Sequence, residues 1–177
     1  TLYEINLSTA YDLSTASYDS VSLSVASVDT SPTDLAFNND GTKFYFLGQQ
    51  NKKVYQYSCS TAYDLSTATK DTEEASVSSQ VSGARGFNFN NDGTKFFVSC
   101  FTNDAIYEYD LSTAFDVSTA SYSNTSLSVT VGSNGSHCMS SDGLYIYFID
   151  EADDIDSYAL STAWDLSSAT ASGTKND

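Results

Sequence analysis

An all-β chain of four-stranded antiparallel repeats, each of about fifty residues, is the fold the sequence predicts, and three observations predict it. The phrase Ser-Thr-Ala-aromatic-Asp-(Leu/Val)-Ser-(Thr/Ser)-Ala recurs four times, centred on Tyr11-Asp12, Tyr63-Asp64, Phe115-Asp116 and Trp164-Asp165, at steps of 52, 52 and 49 residues. The turn pairs Asp40-Gly41, Asp92-Gly93 and Asp142-Gly143 keep the same register, at steps of 52 and 50. Between these markers apolar residues alternate with the two-residue period of strands and give way to turn residues at fixed places. Periods of this size belong to solenoids, propellers or arrays.

The chain opens in mid-repeat. Thr1-Leu2-Tyr3-Glu4-Ile5 aligns with Lys53-Val54-Tyr55-Gln56-Tyr57 and with Ala105-Ile106-Tyr107-Glu108-Tyr109, so residues 1–30 supply only a third and a fourth strand. With no Met at its start, it reads as a processed product or a segment of something longer. Residues 31–82 form the first full unit. Thr33 to Phe37 is its first strand, with Leu35 and Phe37 on one face and Ala36 on the other. Asn38-Asn39-Asp40-Gly41 is a tight turn, where Gly and Asx tolerate positive φ. Lys43 to Leu47 and Lys53 to Cys59 are the second and third strands, joined by a polar tip. The Ser-Thr-Ala-Tyr-Asp phrase follows as a compact connection with one short helical turn, and a polar fourth strand runs from about Thr69 to Ser78. Residues 83–132 repeat this plan, and residues 133–177 repeat it with a short or missing fourth strand.

Four antiparallel strands per repeat is a propeller blade. The sequence therefore holds three full or nearly full blades and a partial one, too few to close a ring, since propellers use about 4–8. Open ends expose unpaired strand edges and apolar faces, so the fragment is expected to need neighbours: further copies of itself as a homo-oligomer, or continuation of a longer chain. Head-to-tail association would give a closed ring or a filament.

Composition narrows the partners. Among 177 residues, 23 acidic and 7 basic side chains leave a formal charge of −16, which disfavours nucleic acid and anionic membranes because phosphate binding depends on Lys and Arg. Thirteen Tyr and ten Phe argue for a folded chain, since disordered segments lack aromatics. No apolar run approaches the roughly 18 residues of a membrane helix.

The segment Pro32-Thr33-Asp34-Leu35-Ala36-Phe37-Asn38-Asn39-Asp40-Gly41-Thr42-Lys43-Phe44-Tyr45-Phe46 resembles the first two strands of YVTN-type and related WD40-like β-propeller repeats. Ile106-Tyr107-Glu108-Tyr109-Asp110-Leu111-Ser112-Thr113 resembles their third strand, and the Ser-Thr-Ala-aromatic-Asp phrase resembles repeat proteins of marine bacteria and their phages. The Gly-His pair of true WD40 repeats is absent, and Tyr109-Asp110 rather than Trp164-Asp165 stands at the WD position. Such motifs specify a blade and leave function open.

His137 is the single histidine, and alignment puts it at the core-facing position of Leu35 and Phe87, which favours a packed histidine over a catalytic one. No Gly-x-Ser-x-Gly elbow or second His supports a hydrolase triad. Of the three cysteines, Cys59 occupies a slot otherwise filled by Leu7, Leu111 and Leu160; Cys100 and Cys138 lie on successive blades, where a disulfide would need Cα atoms within about 7 Å. The run Asp150-Glu151-Ala152-Asp153-Asp154-Ile155-Asp156 suggests calcium as a candidate cofactor, against the simpler reading of a solvated hairpin tip. The equivalent tip of the first full repeat carries Lys52 and Lys53, opposite in charge to Asp153 and Asp154. Asp12, Asp64, Asp116 and Asp165 are read as turn caps, since a group present in every repeat is scaffold rather than chemistry. Asn6, Asn124 and Asn134 open Asn-x-Ser/Thr sequons, which permit glycosylation.

These readings lead to a non-enzymatic assembly repeat of an extracellular or virion-surface protein, with no catalytic residue and no required cofactor. Two alternatives stand beside it. One is a glycan-binding adhesin using exposed Tyr. The other is a lactonase-like or glycan-active propeller enzyme, for which Asp34 and Asp150 are the inward carboxylates.

Overall fold

The computed structural model describes residues 1–129, 135–149 and 154–175. Among them the chain forms β1 (Leu2–Leu7), β2 (Ala16–Leu23), β3 (Pro32–Phe37), β4 (Lys43–Gly48), β5 (Lys53–Cys59), β6 (Ala68–Ser76), β7 (Ala84–Phe89), β8 (Lys95–Cys100), β9 (Ala105–Leu111), β10 (Ala120–Ser128), β11 (His137–Met139), β12 (Tyr145–Ile149), β13 (Ile155–Leu160) and β14 (Ala169–Lys175). One two-stranded sheet, β1-β2, precedes three four-stranded antiparallel sheets, β3 to β6, β7 to β10 and β11 to β14, each meandering in sequence order. The all-β architecture of propeller blades is thus present. The fourth strand of the last repeat, expected to be short or missing, is formed by seven residues against nine in β6 and β10.

Strand patterning explains how the sheets stack. β4 and β8 are buried on both faces from their second residue onward, because a sheet lies on each side of them. β12 alternates instead: Ile146 and Phe148 point back into the core, while Tyr145, Tyr147 and Ile149 are exposed on the face beyond. Three apolar clusters result, one in each gap between successive sheets. Phe44, Phe46, Tyr55 and Tyr57 meet Val21 and Leu23; Tyr45 and Leu47 meet Phe87 and Phe96; Phe97 and Ile106 meet Ile146 and Phe148. Within a sheet the aromatics pair across strands. Phe44 opposes Tyr57 and Phe46 opposes Tyr55 in register, with ring centroids 4.7 and 5.0 Å apart, a geometry that contributes roughly 0.5–1.5 kcal/mol per pair beyond burial.

Each Ser-Thr-Ala-aromatic-Asp phrase builds the same turn. Asp12, Asp64, Asp116 and Asp165 accept from the backbone N–H of Ser14, Ser66, Ser118 and Ser167 at 2.9–3.0 Å, capping one turn of 3-10 helix. The aromatic just before each Asp takes a left-handed φ, between 58° and 63°. In the three complete blades that aromatic covers the glycine of the blade's own Asp-Gly turn: Tyr63 over Gly41, Phe115 over Gly93, Trp164 over Gly143. Its N–H donates to the same glycine's carbonyl at 2.9–3.0 Å. Those glycines have φ near +72°, and a Cβ on any of them would fall within 2.5 Å of a ring atom.

Candidate axial site and blade-to-blade clasps

β3 lies against β7 and β7 against β11, so the first strands of successive sheets sit together on the inner side. Their polar residues converge there. Asp34 Oδ2 accepts from Phe87 N at 2.8 Å and from Ser136 Oγ at 3.2 Å, joining three consecutive inner strands through one carboxylate. Ser99 Oγ accepts from Gly86 N at 2.8 Å. Gly86 leaves the space this cluster occupies: a Cβ there would lie 2.5–2.7 Å from Ser136 Oγ, His137 Nδ1 and Ser99 Oγ. Next to Gly86 stands Arg85, the single arginine of the chain. Its Nη1 donates to Gln49 Oε1 at 2.7 Å, and its guanidinium stacks on Phe101 with the ring centroid 4.2 Å away.

His137 is 6% exposed, and burial pushes its pKa down to about 4, so the ring is neutral at neutral pH. Among the described residues neither ring nitrogen has a hydrogen-bond partner, and the same holds for Asn88 Oδ1. Such orphaned buried atoms are rare, each costing about 1–3 kcal/mol when nothing satisfies it. A pocket of about 260 Å³ lies at this strand, lined by Ser136, His137, Cys138, Tyr147, Phe148, Ile149 and Ile155, while the His137 ring itself is turned toward Gly86. Sequence alignment placed His137 on an inner strand but gave no sign of its unpaired nitrogens. Of the axial group it named only Asp34 and His137. Arg85 carried a signal of its own, as the one guanidinium in an acidic chain; Ser99 and Gly86 come into reach only through the pairing of β7 with β8.

A second set of contacts recurs between blades. Glu4 Oε2 accepts from Leu65 N at 2.9 Å, Gln56 Oε1 from Val117 N at 3.5 Å, and Glu108 Oε2 from Leu166 N at 3.0 Å. In each case a third-strand side chain clasps the 3-10 turn of the following blade. A parallel ladder links the hairpin turns, as Asn39 Nδ2 donates to Asn91 O at 2.7 Å and Asn91 Nδ2 to Ser141 O at 2.6 Å. Glu108, 3% exposed, also holds Lys95, which bridges to Asp110.

The remaining candidates resolve individually. All three cysteines are free thiols, so no bridge joins Cys100 to Cys138. Cys100 is buried, where its sulfur accepts from Gly83 N, while Cys138 is exposed. Burial raises the Cys59 thiol pKa. In the acidic run, Asp150, Glu151 and Asp153 lie outside the described residues, as does Asn134; Asp156 sits in β13 opposite Phe148. Among the described residues no three His, Cys, Asp or Glu side chains come together in a group able to hold a metal ion. Lys53 is engaged by Glu74 on the neighbouring strand.

This geometry defines the class, a β-propeller-type fold. No protein-family model matches the sequence, and no curated protein matches it. Among solved structures it is similar to a candidate 6-phosphogluconolactonase from Bacteroides fragilis NCTC 9343, with a TM-score of 0.58 and 12% identity over 80% of this chain and 37% of that one. It is similar to a candidate 6-phosphogluconolactonase from Bacteroides uniformis ATCC 8492, with a TM-score of 0.60 and 12% identity over 82% and 41%. It is also similar to the Pseudomonas aeruginosa periplasmic gluconolactonase, with a TM-score of 0.55 and 13% identity over 82% and 39%. The chain spans about two fifths of the length of these structures. At such identities the likeness is one of fold. It nonetheless corrects the expectation of a non-enzymatic chain, because proteins described as lactonases are built on this architecture. Recurrence of scaffold residues in every blade therefore does not argue against a single unrepeated site on the inner strands.

Proposed function

We propose that this chain is part of a lactonase-like propeller, and that its inner strands contribute Asp34, Ser99, Ser136 and His137 to a site for a small polyhydroxylated ligand of the sugar-lactone class. The observation that carries this reading is the buried, neutral His137, whose two ring nitrogens lack partners among the described residues beside the Ser136 and Ser99 hydroxyls. A neutral imidazole can accept a proton from a water or from a ligand hydroxyl. Asp34 orients the Ser136 hydroxyl next to it. The similarity to proteins described as gluconolactonases and 6-phosphogluconolactonases supports the ligand class.

The test is hydrolysis of glucono-1,5-lactone and of its 6-phosphate, followed by acid release against the spontaneous rate. The expected result is a rate above background that falls at least tenfold in His137→Gln and Asp34→Asn variants that remain folded by circular dichroism. Acid release equal to the buffer's own rate, with no saturable binding of gluconate, overturns the reading.

A further inference from the structure

We infer that the seam between the β7–β10 and β11–β14 sheets is a slot for a pair of hydroxyl groups of a neutral polyol, and that Asn88 binds them together with His137. The inference rests on the ligand class proposed above and adds to that site a binding residue and a rule of recognition.

This seam carries exchanges that the preceding seam lacks. Between the β3–β6 and β7–β10 sheets the inner end is filled by Ala36, Leu47 and Phe87, which pack in one apolar cluster. One repeat further on, the same three positions hold Asn88, Ser99 and His137. Strand register shows that all three face one gap. Asn88 lies opposite Phe97 and His137 opposite Phe148, and Phe97 and Phe148 meet in the core between these two sheets. Ser99 stands two residues beyond Phe97, on the same face of β8. Its hydroxyl and His137 Nδ1 both lie 2.7 Å from the point where Gly86 would carry a Cβ. Three apolar side chains have thus turned polar together at one spot, while the rest of the gap keeps Phe97, Ile106, Ile146 and Phe148.

The new polar groups do not satisfy one another. Asn88 Nδ2 donates to Phe89 O at 3.3 Å, which orients the amide and leaves Oδ1 as its bare atom. Among the described residues both ring nitrogens of His137 are bare as well. The chemistry of a guest follows from the inventory. An amide oxygen only accepts, and a neutral imidazole has one nitrogen that accepts and one that donates. A guest that completes the set supplies two donors and one acceptor, which two hydroxyl groups of one polyol do. A carboxylate or a phosphate brings acceptors and no proton to give, so an anionic head group does not fit here. Ser136, the exposed neighbour of His137 that bonds Asp34, marks the axial end at which a ligand reaches the slot.

Because the chain has a single histidine, its ring nitrogens give unambiguous magnetic-resonance signals. The probe is D-glucitol, a neutral polyol without a lactone carbonyl. Titrated into the intact protein, it is expected to move the signal of the unprotonated ring nitrogen upfield and to saturate, as a nitrogen does when it gains a hydrogen-bond donor. Acetate and inorganic phosphate at the same concentrations should leave that signal in place. Asn88→Ala installs the residue found at position 36; it should stay folded by circular dichroism and bind glucitol at least about tenfold more weakly. A signal that glucitol does not move, or equal binding by the parent and Asn88→Ala, overturns the inference. Lactone hydrolysis followed on the same samples separates the two readings. Glucitol binding without hydrolysis keeps the slot and removes the proposed activity, whereas hydrolysis with an unmoved imidazole signal keeps the activity and removes the slot.

Discussion

The central blade and the N-terminal half-blade carry the same phrase in two different surroundings. In the central blade Phe115 takes the left-handed φ, packs on Gly93, accepts the Tyr45 hydroxyl at its carbonyl and lies 5.3 Å from Phe89. In the half-blade Tyr11 makes the same turn, before an Asp12 that caps Ser14 as Asp116 caps Ser118, with its ring in solvent. The difference separates two layers of cause. Asp and Ser within five residues are enough to set the backbone; the ring-on-glycine contact then adds packing without deciding the conformation. A positive φ on an aromatic costs on the order of 1–3 kcal/mol, and it persists in the half-blade because the local hydrogen bonds over-determine it.

The largest expected effect breaks the central blade. Gly93→Val places a branched Cβ at φ +72° under the Phe115 ring and should cost about 3 kcal/mol or more in urea unfolding. Glu108→Ala comes next: it releases Leu166 N and leaves Lys95 with Asp110 alone, for a loss of about 3 kcal/mol. Glu4→Ala in the half-blade removes a single, more open clasp and should cost about 1 kcal/mol. If the two clasp variants lose equally, the half-blade is as firmly docked as a complete one.

Acid sharpens the contrast from the other end of the molecule. The folded-state pKa of His137, about 4, lies below its ordinary value of 6.5, so the unfolded chain binds the extra proton between those values. Stability that is full above pH 6.5 is expected to fall by about 3 kcal/mol as the pH drops to 4, and this slope should vanish in His137→Leu, the residue found at position 35. The turn carboxylates Asp12, Asp40, Asp92 and Asp142, held below their usual range by hydrogen bonds from nearby hydroxyl and backbone groups, act only lower, below pH 3.8. The smallest effect is that of Tyr11→Ala, expected within about 0.5 kcal/mol of the parent. A larger loss would mean that the exposed ring is covered in solution.

Much of the fold was legible in the residues because repetition multiplies a weak signal. The third strand read as Lys53 to Cys59 is the third strand observed, and the fourth strand was displaced by one or two residues at its ends. Turn chemistry at Asn38-Asn39-Asp40-Gly41 needs only neighbours to act, so sequence shows it. The left-handed aromatics were not legible, since no propensity favours φ near +60° for Tyr, Phe or Trp. The axial group was legible only in part. Asp34 meets Ser136 across 102 residues, and that meeting depends on three sheets stacking in order.

The Asn ladder and the carboxylate clasps run in one direction, from each blade to the next, and both lapse at the same place. Ser141 stands where Asn39 and Asn91 stood, and Ser157, bonded to Ser172 and Gly173 within its own sheet, stands where Glu4, Gln56 and Glu108 stood. A duplicate of residues 83–132 spliced in after position 82 would find donors and acceptors waiting on both sides. Lengthening by copying an interior unit would therefore need no new contact at either of its seams.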